Sequence, residues 1–498
     1  MRSLVWFRGN DLRLRDHQPL GHALSEGETV FLYVFDPIEW NAGIDDDTSH
    51  QSRFRKQAIE ALRIEIEALG SHLFLFWGAP EVVLLWFSTT YQIQQILTQR
   101  RSDPYNRHLT EALRANLKVP LRLFDGETLL APEMVRTGSG EPYSVFTAFS
   151  RTALRQLAVT RPLSAPGRLP PLPSDLARLV AATPNQPKRP IPIHPEVYVL
   201  DRVPESRTKR HDAEGARGVD PVLLSAGEGP SLLRLKQFVK FRAERYDVDR
   251  DQLAIPGSSR LSAYLRLGNL SPKQVWWAVD RSVSNADSKR RFLTQLLWRE
   301  FAYSTLWDRP TLLSEPFQKR FIGFPWRDDF ALLKAWIDGR TGYPIVDAAS
   351  RQLTAEGFVH NRARMIAASF LSKHLLVNPK LGEAHYLKWL ADGDPAQNNL
   401  GWQWSCGTGC DAQPYFRIFN PSAQAERFDA EGNYVRRYVP ELARLPTRYL
   451  SRPWETPVTE QSRAGIRIGR DYPLPLVDHA AARNRFLAIA AERFSRST

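Results

Sequence analysis

Short apolar runs alternate with amphipathic stretches over residues 1–130. SLVWF, TVFLYVF, HLFLFW, IQQILT and VPLRLF are near-continuous hydrophobic segments, the pattern of strands buried on both faces of a parallel sheet. Between them QSRFRKQAIEALRIEIEAL carries apolar residues at helical spacing. The alternation predicts a doubly wound α/β domain, although no GxGxxG follows the first run. The pattern fails over 131–230, where RPLSAPGRLPPLPSDL and TPNQPKRPIPIHPEV are proline-dense and lack periodicity. This segment is expected to be a connector laid over the surface. From 231 a helical period takes over in SLLRLKQFVKFRAERY, SPKQVWWAVDRSV, SKRRFLTQLLWREFAYSTLW, DDFALLKAWIDG, NRARMIAASFLSKHLL and GEAHYLKWLADG. Residues 231–498 are therefore expected to form a mainly helical domain, ending in turns and a last helix, DHAAARNRFLAIAAERF.

The segment NNLGWQWSCGTGCDAQPYFRIFNP, residues 398–421, stands apart. Its glycines and aromatics fit no amphipathic helix, and the expectation is an irregular wall. Glycine lets backbone approach a flat ligand, and Trp402 and Trp404 offer large rings with one donor each. Such a wall suits a planar cofactor or a nucleobase.

Composition narrows the classes. A chain of 498 residues is too long for one core, so two domains are the prior. No apolar run approaches the ~18 residues of a membrane span, and the amino terminus lacks an apolar stretch followed by a small-residue cleavage site, so its hydrophobic residues read as a first strand. The two cysteines, Cys406 and Cys410, argue for a reducing cytoplasm and make a poor metal site. A formal net charge of +13 favours a polyanionic partner through phosphate contacts.

The literal strings add a resemblance. LVWFRGNDLRLRDHQPL, GSSRLSAYLRLGNLSP, LLWREF, GRTGYPIVDAASRQL, GFVHNRARMIAASFLSKHLL and the 398–421 segment follow one another in the order found in the photolyase/cryptochrome flavoproteins. The chain most resembles the class I-type photolyases that repair cyclobutane pyrimidine dimers. The resemblance implies an α/β domain, a connector and a helical domain that binds FAD, acting as a monomer on ultraviolet-damaged DNA. It implies that GSSRLS, with Ser258, Ser259, Arg260, Leu261 and Ser262, lies at the FAD phosphates together with Tyr246. It places Arg364 in a pair with Asp392 beside the flavin, Asp394 in the same cofactor turn, and Asn398 at the flavin N5. Trp298 and Trp404 become the aromatic walls for a flipped-out lesion, with Asn361, Arg362 and Met365 beside them.

Three features qualify the resemblance. Asn361 and Met365 lie four apart on one predicted helix and so share a face; related (6-4) photolyases carry histidines there, and neither Asn nor Met can act as acid or base. Gln295 stands where dimer photolyases carry glutamate. In the family's tryptophan chain, Trp402 and Trp326 match the flavin-proximal and surface members, but Pro379 replaces the middle one, so slow photoreduction or a detour through Trp389 or Tyr386 is expected. LTQRRSDPYNRHL resembles the loop near a second, antenna chromophore, which a pterin, a deazaflavin or a flavin could fill.

Overall fold

The computed structural model describes residues 1–40, 49–181, 191–194, 197–200, 203, 225–412 and 414–495. All five expected strands form: β1 (Arg2–Phe7), β2 (Glu28–Phe35), β3 (Leu73–Trp77), β4 (Gln95–Gln99) and β5 (Leu121–Phe124). They are parallel, and the seven-stranded sheet runs β5-β4-β1-β2-β3-β7-β6. Successive residues of each strand feed different cores. Val5, Phe7, Phe31 and Leu75 face the core that continues into the helical body, whereas Leu4, Trp6, Leu32 and Phe76 face the outer helices. Burial on both faces explains why the runs read as continuous rather than alternating; each fully buried Leu, Val or Phe contributes about 1.5–3 kcal/mol.

The connector differs from expectation. Its described parts include helices at Phe146–Gln156 and Ser174–Ala181, and two further strands, β6 (Ile191–His194) and β7 (Val197–Leu200). β7 pairs antiparallel with β3, and β6 with β7. Pro192 fits because β6 is the edge, where a missing donor leaves no ladder bond unmade. Much of TPNQPKRPIPIHPEV falls outside the described residues.

Beyond 225 the named elements of the described residues are all helices, joined by loops and turns. Four helices frame the region of the implied site: Ala286–Asp308, Pro344–Glu356, Asn361–Ser369 and Pro395–Cys406. The last corrects the reading of 398–421 as irregular over 398–406, whereas the described residues of 407–420 are turns and coil. Asp394 caps it by accepting from the Gln397 N–H, Pro395 occupies its first turn, and Gly407 ends it at φ +82. Asn398 therefore lies in the first turn of a helix. No described helix is long and apolar enough to cross a membrane.

Candidate active site

The helix Asn361–Ser369 supplies the most functional groups. Its cap is His360, whose Nδ1 accepts from the Arg362 N–H at 3.1 Å. Arg364 points Nη2 at both oxygens of Asp392, 3.1 and 2.9 Å away, while its Nε donates to the Val359 carbonyl at 2.7 Å. The implied Arg364–Asp392 pair is thus formed, half-buried and held by backbone. One turn away, the Asn361 amide contacts the Met365 sulfur at 3.5 Å, so the two share a face. Arg362 pairs with Asp251 at 3.0 Å and lies 4.3 Å over the Phe428 ring.

The helix Pro395–Cys406 carries three candidates. The Asn398 amide N–H donates to the Glu383 carbonyl at 2.9 Å, which leaves its oxygen as the free end. Trp402 is buried in an aromatic cluster, edge-on to Tyr386 at 5.3 Å and to Trp336 at 6.0 Å. Trp404 is half-buried. Asp394 is almost wholly buried, with one oxygen on the Gln397 N–H and the other on the Tyr303 hydroxyl, 2.5 Å away. Burial pushes its carboxyl upward, but the Arg266 and Arg299 cations outweigh that and hold it below the usual range. Its contacts tie the helix to the domain junction, where Arg299 donates to the Glu127 carbonyl at 2.6 Å.

Trp298 and Gln295 share the helix Ala286–Asp308. Gln295 Oε1 accepts from Arg250 Nη2 at 3.3 Å, and its amide N–H reaches the Arg291 carbonyl at 3.3 Å. Arg250 in turn lies 5.4 Å over the Tyr246 ring, itself buried against Phe238 and Phe292.

In GSSRLS, Ser258, Ser259 and Ser262 are half-buried and Leu261 is buried. Arg260 sits at φ +53, rare for a residue with a Cβ. It is held by Glu356, a buried carboxylate 3.3 Å away that also accepts from Tyr438 at 2.5 Å and Arg437 at 3.2 Å. Strain of this kind collects at ligand clamps. Two observations fit FAD: serine hydroxyls and a guanidinium together suit a pyrophosphate, and the buried Tyr386 hydroxyl beside Trp402 has no partner, as expected where a polar group is to be supplied.

The electron-path candidates fall into two separate ring clusters among the described residues. Trp326 packs at 4.4 Å on Phe324 and stacks near Phe321 and Phe486, in a cluster that shares no ring contact with Trp402 among the described residues. Pro379 simply opens the helix Pro379–Trp389. Trp402 instead leads to Trp336 and Tyr386, which stack at 5.6 Å, and then through His385 to half-buried Trp389 at 6.2 Å. Trp336 had no local signal: its helical spacing only marked it as core. Both cysteines are buried, and burial pushes the Cys406 thiol up to about 11.

The comparisons agree with this arrangement. Residues 3–170 match the family model described as DNA photolyase, and 292–492 match the FAD binding domain of DNA photolyase. The deoxyribodipyrimidine photo-lyase of Agrobacterium fabrum is 37% identical over 98% of this chain and 97% of its own length. That of Escherichia coli K12 is 34% identical over 97% of each. A bacterial class III photolyase structure from Agrobacterium tumefaciens superposes with a TM-score of 0.84 at 35% identity, covering 99% of this chain and 98% of that one. A Synechocystis cryptochrome structure gives 0.84 at 28% identity, covering 98% and 99%. An FAD-domain protein with an α/β partner domain is what fold and site define. The chain belongs to the DNA photolyase family.

Proposed function

We propose that this chain is a light-driven DNA repair enzyme of the cytoplasm, working as a monomer, that splits cyclobutane pyrimidine dimers with FAD as its catalyst. The observation that carries the reading is the helix Asn361–Ser369, which presents the Arg364–Asp392 pair and the Asn361/Met365 face within one turn of each other. Cofactor electrostatics and substrate recognition therefore meet on a single rigid element.

FAD, once bound and reduced, would supply light-driven one-electron chemistry at the lesion. The chain's own residues do the rest. Ser258, Ser259, Arg260 and Ser262 would hold the pyrophosphate, with Leu261 and Tyr246 completing that part of the cofactor site. Arg364 balances negative charge without giving up a proton, since a guanidinium stays protonated. Asn398 offers its oxygen, because one N–H of its amide is committed to the Glu383 carbonyl and turns the nitrogen that way. Trp298 and Trp404 stack on the dimer, which must leave the duplex to reach them. Gln295, with its oxygen engaged by Arg250, can turn only its N–H₂ to a pyrimidine carbonyl. Asn361 and Met365 cannot transfer protons, which fits a dimer that needs none and not a (6-4) product.

An antenna chromophore in the α/β domain follows from the same resemblance. Just past β4, Arg101 pairs with Glu39, which also pairs with Arg55 and accepts from Asn106. A cryptochrome-like blue-light sensor that keeps the fold is favoured by the carboxamide at Gln295 and by Pro379 at the middle position of the tryptophan chain. Dark binding to a thymine-dimer oligonucleotide and to the same undamaged sequence tests the proposal. The dimer should bind more tightly, and binding to both should weaken steeply with salt. Equal affinities, or affinity independent of salt, would contradict it.

A further inference from the structure

Trp298 lies flat against Phe146: the ring centroids are 3.7 Å apart and the planes 8° from parallel. Phe301 meets the same indole edge-on at 5.9 Å. A face-to-face sandwich is not what an isolated aromatic pair adopts, because the ring quadrupoles favour offset or edge-on packing. The surrounding chain imposes it. Phe146 opens the helix Phe146–Gln156 and its N–H donates to the Asp411 carboxylate at 3.1 Å. The Cys410 thiol donates to the Ser144 carbonyl at 3.1 Å. Asp411 takes φ +47, a left-handed conformation for a residue with a Cβ. Cys410 and Asp411 belong to the segment that leaves the helix Pro395–Cys406 through Gly407, and that helix carries Trp404. One short stretch, 404–411, thus ties the support of the first aromatic wall to the second wall.

We infer that Phe146 is a positioning residue for the lesion. It covers one face of Trp298, so the half-buried indole has only its opposite face and rim left for a planar, unpaired pyrimidine. Asp411 anchors that support to the segment bearing Trp404. The inference rests on the repair function proposed above and adds a part of the site that belongs to neither the cofactor nor the helix 361–369. A backed indole is already ordered before the lesion arrives; an unbacked one pivots and must be ordered on binding.

The test is dark binding by the full, FAD-loaded chain to a thymine-dimer oligonucleotide and to its undamaged counterpart, for the wild type, Phe146→Leu, Trp298→Ala and the double variant. Losing a pre-ordered ring corresponds to roughly three- to tenfold in affinity, and Phe146→Leu should lose that much for the dimer alone. In the Trp298→Ala background Phe146→Leu should change nothing more, the signature of action through Trp298. Phe146→Tyr should restore binding. Asp411→Ala, at an exposed residue that touches no ring, should give the same selective loss in smaller degree, and it keeps the test open if Phe146→Leu folds poorly. Equal losses on both DNAs, or additive effects in the double variant, would overturn the inference while the repair reading stands. A wild type indifferent to the dimer would overturn both.

Discussion

Glu356→Gln tests whether Arg260 belongs to a cofactor clamp. In the wild type the carboxylate is buried and accepts from Tyr438 at 2.5 Å and Arg437 at 3.2 Å on one oxygen, and from Arg260 and Gln352 at 3.3 Å on the other. Glutamine keeps the shape but removes the charge and turns an N–H₂ toward one pair of donors. Hydrogen bonds to charged groups contribute about 1.5–3 kcal/mol each. The Arg437 side chain is 40% exposed, so its share is discounted for screening, whereas Arg260 is 18% exposed. The expected loss of stability is therefore about 2–4 kcal/mol. The cofactor effect is separate. Arg260 is held at φ +53 by this ion pair, and a conformation of that kind stores about 1–3 kcal/mol. Once released, GSSRLS relaxes and must be reordered by the ligand, which weakens FAD binding by roughly 5- to 150-fold. Titration of apoprotein followed by flavin fluorescence measures the affinity, and thermal melting measures the stability. Arg437→Gln serves as the control: it should cost no more than about 1 kcal/mol and leave FAD affinity unchanged. If Glu356→Gln melts early yet binds FAD as tightly as the wild type, Arg260 is not part of the clamp.

Three further outcomes follow. Trp336→Phe and Trp389→Phe should each slow blue-light reduction of the bound flavin, and Trp326→Phe should not; transient absorption decides, and a loss confined to Trp326→Phe refutes the detour. Gln295→Glu should raise repair yield, since a carboxylate there pairs with Arg250, whereas Gln295→Ala should lower it; equal yields for all three would place the residue outside the chemistry. Burial and the neighbouring His479 hold His374 down to about 3, against the ordinary 6.5. The unfolded chain therefore takes up a proton below about pH 6.5 that the folded chain refuses, and this site's stability, intact above that pH, falls by about 1.4 kcal/mol per unit as pH drops. Melting curves from about pH 7.5 to 5 should show the decline, and His374→Phe should make it shallower, with His360 and His385, each held down to about 4 by burial, carrying the rest; identical curves for the two proteins would remove His374 from the account.

The five parallel strands were legible because burial on both faces writes itself as unbroken apolar runs. β6 and β7 were not, because proline density looks the same in a linker and at a sheet edge. The helix Pro395–Cys406 was hidden by Gly401, its aromatics and the glycines that follow it, although Asp394-Pro395 is a cap and first-turn signal that could have revealed it. Within the site, Asn361 with Met365 and Arg364 with Asp392 could be read from spacing and resemblance. Phe146, Trp336 and Glu356 could not, since each reaches the site only through tertiary packing with residues remote in sequence.

The central claim is that this fold repairs cyclobutane dimers and not merely senses light. The most direct measurement exposes FAD-loaded, chemically reduced protein to blue light with a mixture of two oligonucleotides, one bearing a thymine dimer and one a (6-4) product, and separates the products by chromatography. The account predicts that intact thymines appear from the dimer in the light, none in the dark, and that the (6-4) strand is unchanged. Repair of the (6-4) strand alone, or no repair of a dimer that binds tightly in the dark, would contradict it.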